Sequence, residues 1–127
     1  YEAAFSALIL EPTPAARLLI NVSNDAWFGR SIAQDQHLQV AQARAIESGR
    51  YLLRATNDGI TAVIDYRGKI VDRLPQYVPG TLRSTVELRQ GSTVFVKFGI
   101  FPLLLVIFTM FFLTGCIRIF SERNTGL

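Results

Sequence analysis

One short stretch, NVSNDAWFGR at residues 21–30, holds the side chains best suited to chemistry or binding, with two amides, a carboxylate, a tryptophan and a glycine behind the apolar run LLINV. Asn24 and Asp25 carry short polar groups that bond readily to a loop's own backbone. Gly29 lets such a loop turn, and Trp27 with Phe28 offers a broad apolar surface. Elsewhere the reactive residue types are sparse. Cys116 is the only cysteine, so no internal disulfide forms, and its place inside an apolar run suits a small packing residue rather than a nucleophile. His37 is the only histidine; no Cys, Asp or Glu cluster with ligand spacing surrounds it, so no metal or cofactor is expected, and hydrogen bonding at a helix start suits it better than proton transfer. Arg44, Glu47 and Arg50 recur every three residues, a spacing for ion pairs on a helix. Arg54, Asn57 and Asp58 suit a strand-turn-strand unit, with Arg54 or Asn57 reaching a pocket as the alternative.

The elements that must hold these groups follow from periodicity. Residues 2–10 carry Phe5, Leu8 and Ile9 at helical spacing before Pro12 and Pro14, which predicts a short helix. The apolar run over 17–23 predicts a strand buried on both faces, which puts the NDAWFG tip at a strand's C-terminal end, where open α/β sheets place ligands. Residues 35–48 predict a helix with a narrow stripe through Leu38, Ala41 and Ala45, capped by Asp35 or Ser31 and stopped by Gly49. A strand over 51–56, a turn at 57–59 and a hairpin of 60–65 with 69–74 around Gly68 come next. Alternating Leu82, Val86 and Leu88 predict a last, half-buried strand over 81–89. Two helices and about five strands leave a sheet edge and an apolar face open, so a completing partner is expected upstream or in another chain.

The chain of 127 residues allows one ordinary domain, and its charge of +3 comes from scattered arginines without the aromatic and basic interleaving of a nucleic-acid surface. Residues 98–117 form a second, unlike part with no charge at all. About 20 residues at about 1.5 Å each give about 30 Å, the thickness of a bilayer's hydrocarbon core, so a transmembrane helix is expected. Arg118 and Arg123 after it, against Lys97 before it, place the tail on the cytoplasmic side.

With these residues in order, the sequence resembles a known family. YE before a helix, LLINVSNDAWFG, QHLQVAQARAIESGR, LLRATNDGITAVID, GKI, and a closing strand with a membrane span resemble the C-terminal part of the apolipoprotein N-acyltransferases, membrane members of the nitrilase (carbon–nitrogen hydrolase) superfamily. The resemblance implies an α/β fold, the C-terminal half of an αββα sandwich over residues 1–93, then a transmembrane helix at 94–118 and a polar tail at 119–127. It implies a bacterial inner-membrane protein with the sandwich on the periplasmic side. It also implies a Glu–Lys–Cys triad, phospholipid as acyl donor, and the N-terminal cysteine amine of an apolipoprotein as acceptor. No nucleic acid takes part.

None of that triad lies in this sequence. By the resemblance the nucleophilic cysteine directly precedes Tyr1, whose N–H helps hold the oxyanion, while Glu2 orients the nucleophile turn or the lysine. The chain alone is then inactive. Beside that nucleophile, Asn24, Asp25, Trp27 and Phe28 become the candidate substrate-binding wall, loop fixing remaining open for the first two and core packing for Trp27. A membrane-tethered amidohydrolase and a catalytically dead module that binds lipid or protein are the alternatives.

Overall fold

The run AQDQHLQVAQARAIES sets Gln34, Leu38, Ala41, Ala45 and Ser48 at alternating spacings of four and three, one line along a helix. In the computed structural model, which describes residues 9, 11 and 13–124 with side chains beyond 115 given only at Arg118, that line is buried. The chain forms two units, Tyr1–Lys97 and Phe98–Leu127.

In the first unit, strand β1 (Leu19–Asn24) leads through a 3-10 turn (Ala26–Phe28) into helix α1 (Ala33–Ser48), then β2 (Leu52–Asn57), β3 (Ala62–Ile64) and β4 (Ile70–Arg73). The sheet order is β1-β2-β3-β4, with β1 and β2 parallel and the rest antiparallel. The parallel pair requires a crossover, and α1 supplies it. Alanines at 41 and 45 let this helix approach Leu52, Ala62 and Ile64, which together with Leu38 and Ile60 make the core. Burial of each large aliphatic side chain contributes about 1.5–3 kcal/mol.

The helix begins at Ala33, two residues before the expected start. Ser31 Oγ accepts from the Ala33 N–H at 3.4 Å, while Asp35 sits within the first turn, favourable to the dipole but not a cap. At the other end Gly49 has φ 65° and donates to Ala45 and Ile46, as a left-handed cap does. The β3–β4 turn also forms as expected. Asp65 Oδ1 accepts from the Arg67 and Lys69 N–H groups at 2.8 Å, and Gly68 has φ 80°. A Cβ there would meet Ile46 at 2.7 Å, and Gln42 Nε2 donates to the Gly68 carbonyl, so this turn rests on α1.

Two expectations are corrected. First, β1 is not buried on both faces: its burial alternates, with Ile20 71% and Val22 79% exposed, because α1 covers only the face of Leu19, Asn21 and Ser23. Second, residues 81–89 form no strand. The segment offers its alternating pattern, but among the described residues its one backbone bond runs from the Arg89 N–H to the Arg17 carbonyl at 3.2 Å, and Ser84 bonds Asp72 by its side chain. An alternating pattern without a ladder partner stays coil. The helix expected over 2–10 lies outside the described residues, apart from Ile9.

Thr93 then caps a short helix α2 (Val94–Phe98), accepting from the Val96 N–H at 3.0 Å while donating to the Glu47 carbonyl. Gly99, at φ 57°, ends it. The second unit is helix α3 (Phe101–Asn124), with Pro102 in its first turn, where a missing N–H costs least. Its apolar side chains from Phe101 to Leu113 are exposed all round, and Thr109 and Thr114 bond back to carbonyls of the preceding turn. Among the described residues no helix is long and apolar enough to cross a membrane.

Candidate functional site

The polar tip is organised around a fully buried carboxylate. Parallel pairing carries one residue beyond β1, where the Asp25 N–H donates to the Asn57 carbonyl at 3.1 Å, which fixes Asp25 at the C-terminal end of the sheet. The register places Asn21 beside Arg54 on the face toward α1. Arg54 Nη2 then donates to Asp25 Oδ2 at 2.6 Å and Nη1 to Asn21 Oδ1, with both members of the ion pair almost wholly buried. Ser23 Oγ donates to Asp25 Oδ1 at 2.7 Å, and His37 Nδ1, one turn into α1, lies 3.0 Å from that oxygen. Burial alone pushes the Asp25 carboxyl up. The bonds from Ser23 and His37 and the charge of Arg54 outweigh it and hold the group below its ordinary value, so it is an anion at neutral pH. Gly59 completes the cage: a Cβ there would lie 2.9 Å from Asp25 Cβ.

Asp25 in turn holds the aromatic turn. Its carbonyl accepts from the Phe28 N–H at 3.1 Å, and Asn24 Oδ1 accepts from the Ala26 N–H at 3.1 Å. Phe28 sets its ring edge-on to His37, centroids 5.2 Å apart. Trp27 points away and is 86% exposed, and the 3-10 turn buries none of its residues. Among the described residues Trp27 therefore has no core to pack in. Asn24, Asp25, Trp27 and Phe28 are brought together, whereas Tyr1 and Glu2 lie outside the described residues.

Gln34 is a member of this site that the sequence pattern does not single out, although it continues the buried stripe of α1 by one step. Its Nε2 donates to the carbonyls of Gly29 and Asp58 at 2.9 and 2.8 Å, and its Oε1 accepts from Gln76 Nε2 and Tyr77 OH at 2.8 Å. One buried amide thus ties together the tip, the β2–β3 turn and the loop after β4. Between that turn and loop lies a cavity of about 360 Å³, lined in part by Thr56, Asn57, Thr61 and Pro75. Asp58 and Tyr77, which also line it, have positive φ of 60° and 62°. Strained backbone of this kind persists only where the surroundings enforce it, and Gln34 bonds both residues.

The remaining polar candidates serve the frame. Arg44 Nη2 donates to Glu47 Oε1 at 3.0 Å, and burial raises the Glu47 carboxyl although Arg44 opposes it. Arg50 is buried and, among the described residues, donates to carbonyls, those of Thr13, Ala16, Ser48, Gly49 and Gly91. Among the described residues no group of three or more His, Cys, Asp or Glu could hold a metal ion.

A four-stranded α/β sheet with its polar tip at the strand ends fits a nitrilase-type fold, and the carbon–nitrogen hydrolase family matches residues 3–94. The chain belongs to the carbon–nitrogen hydrolase family. It is also similar to named members: 46% identical over all 127 residues to an apolipoprotein N-acyltransferase of Nitrosomonas europaea, of which it covers 25%. Similar proteins of that name from Vibrio cholerae and Shewanella oneidensis are 47% and 49% identical over 83% and 84% of the chain, and it covers 21% of each. The chain thus spans about a quarter or less of the curated relatives it matches.

Proposed function

We propose that this chain is the C-terminal part of an apolipoprotein N-acyltransferase. In this reading residues 1–93 complete a nitrilase-like domain on the periplasmic side of the bacterial inner membrane. Residues 94–118 span the bilayer and 119–127 form a cytoplasmic tail. The observation that carries the reading is identity of 46% over the entire chain, continuing past the family's match at residue 94 into the apolar helix.

In the completed protein a cysteine directly before Tyr1 attacks the ester carbonyl of a phospholipid, the lysophospholipid leaves with the proton, and a thioester forms. The α-amine of a lipid-modified N-terminal cysteine then attacks the thioester, the C–S bond breaks, and the departing cysteine sulfur takes up the proton that the amine loses. Tyr1 contributes a backbone N–H to the oxyanion, worth about 2.7–4 kcal/mol for a donor of that kind, and Glu2 orients the nucleophile turn. The strand end carrying Asn24, Asp25, Trp27 and Phe28 forms the neighbouring wall. Its polar cage and exposed indole support a binding rather than a proton-transfer role, since the buried Asp25 carboxylate is already held by three side-chain partners, Ser23, His37 and Arg54. Without the upstream triad the chain alone is inactive.

The test is an assay of the completed protein with labelled phospholipid and a diacylglyceryl-cysteine peptide. Label on the peptide amine is expected. Release of free fatty acid with no labelled peptide would overturn transfer in favour of hydrolysis.

A further inference from the structure

The cavity beside the tip has two walls of unlike construction. Its floor is the end of β2 with the turn that follows, bound together where the Thr56 N–H donates to Thr61 Oγ1 at 3.1 Å. Its roof is carried by residues 75–79, PQYVP, of which Gln76 is half-buried and the others are exposed. The Leu74 N–H still donates to the Thr61 carbonyl at 3.0 Å, but among the described residues no backbone bond joins 75–79 to another part of the chain. Side chains hold the segment down instead. Gln76 Nε2 and Tyr77 OH both donate to Gln34 Oε1 at 2.8 Å, and Arg30 lays its guanidinium over the Tyr77 ring, 4.8 Å from its centroid. Against that hold stands the backbone of Tyr77, whose φ of 62° is a strained value for an aromatic residue. Strain of this kind is comparable in size to what two net hydrogen bonds contribute, so the held and released segments lie close in free energy.

We infer that residues 75–79 form a flap over the cavity, latched at the single acceptor Gln34 Oε1 and sprung by the strained backbone of Tyr77. Pro75 and Pro79 make the flap stiff, since each has a fixed φ, lacks an N–H to give to the sheet and restricts the residue before it. Gly80 follows as the joint. When the two donors leave Gln34 Oε1, Tyr77 relaxes to negative φ and the floor at Thr56 and Thr61 meets solvent. Gln34 Nε2 keeps its bonds to the carbonyls of Gly29 and Asp58, so the tip holds its shape while the flap moves. The latch therefore controls entry to the cavity without disturbing the cage around Asp25. Such a moving part needs no acyl transfer to operate, and the labelled-peptide assay can fail without touching it.

Amide relaxation dispersion and hydrogen exchange, read by NMR on the full chain in detergent micelles, test the flap. Expected is microsecond-to-millisecond exchange at the amides of Gln76, Tyr77, Val78 and Gly80 and none at Asp25, Trp27 and Phe28, with a minor state whose Tyr77 Cα shift is that of negative φ. Tyr77→Phe removes one latch bond and keeps the ring beneath Arg30. It should raise the minor population about fivefold, as loss of one net hydrogen bond gives, and speed exchange of the Thr56 N–H by a like factor. The Asp25 N–H, held by the Asn57 carbonyl, should exchange as in the parent. Arg30→Gln should raise the minor population about twofold. Far-UV circular dichroism checks that each variant folds, and Arg30→Gln decides if Tyr77→Phe does not. An unchanged minor population in the variant that folds overturns the proposal. So does exchange of equal size at Trp27 and Phe28, which would make tip and segment one breathing unit, and so does a Thr56 rate that stays constant while the minor population rises.

Discussion

Two buried arginines serve the β1–β2 pair, one before β2 and one within it reaching toward the strands' C-terminal end, and they are satisfied in opposite ways. Arg50, before β2, donates to five backbone carbonyls and binds the lead-in to β1, the last turn of α1 and the approach to α2 into one base. Arg54, within β2, donates to two side chains, Asn21 and Asp25, and its Nε has no partner among the described residues. Neutral carbonyls hold a charge without making it dependent on any second titration. A carboxylate partner makes the bond stronger but conditional, because the partner can be protonated or removed. The sheet therefore has a fixed end and a conditional end, and the aromatic tip is built on the conditional one.

The largest expected effect comes from breaking the conditional end. Asp25→Ala leaves Arg54 buried without its counter-ion and should destabilise the chain by about 3–5 kcal/mol in urea denaturation, with a fall in the fluorescence anisotropy of Trp27. The double variant Asp25→Ala/Arg54→Leu should cost less than the two single changes added together, because it removes both buried charges; simple additivity would show that the pair does not act as a unit. Next in size, Gly59→Ala should cost about 1–3 kcal/mol by pressing on Asp25. Arg50→Leu should cost a similar amount through its abandoned carbonyls, but with Trp27 anisotropy unchanged. A tip that loosened in Arg50→Leu would erase the distinction between the ends.

The pH dependence sharpens it further. The Asp25 carboxyl is lower in the folded chain than in the unfolded one, so its stabilisation is complete above the unfolded value of about 3.9 and is lost as pH falls through the lower folded value. Acid titration of stability should therefore be less steep in Asp25→Asn than in the parent, and as steep in Arg50→Leu as in the parent. The smallest effect is expected for Trp27→Ala, within about 0.5 kcal/mol of the parent, because the indole contacts no core.

Much of this frame could be read from the residues. The stripe of Leu38, Ala41 and Ala45, the stop at Gly49 and the turn at Gly68 are local patterns, and local patterns carry their own physics. The burial of Asp25 could not be read that way. It depends on parallel pairing that brings Arg54 from 29 residues away, and a sequence shows the carboxylate without its cage. Gln34 escapes notice because glutamine on a helix is usually solvated, and only the three loops that meet above it make its amide a core group. The unformed strand at 81–89 and the uncovered face of β1 have a shared cause. Alternation and apolar runs say what a strand would bury, but the burial itself is supplied by a neighbour.

That uncovered face has a practical consequence. β1 is the outermost strand of the described sheet, and it couples an unpaired backbone row with Ile20 and Val22 turned outward. Such a ribbon templates its own extension, so purified chain should form oligomers whose size grows with concentration, strand added to strand. Val22→Lys would place a repelling charge on every added strand and should keep the preparation monodisperse while leaving the cage around Asp25 untouched.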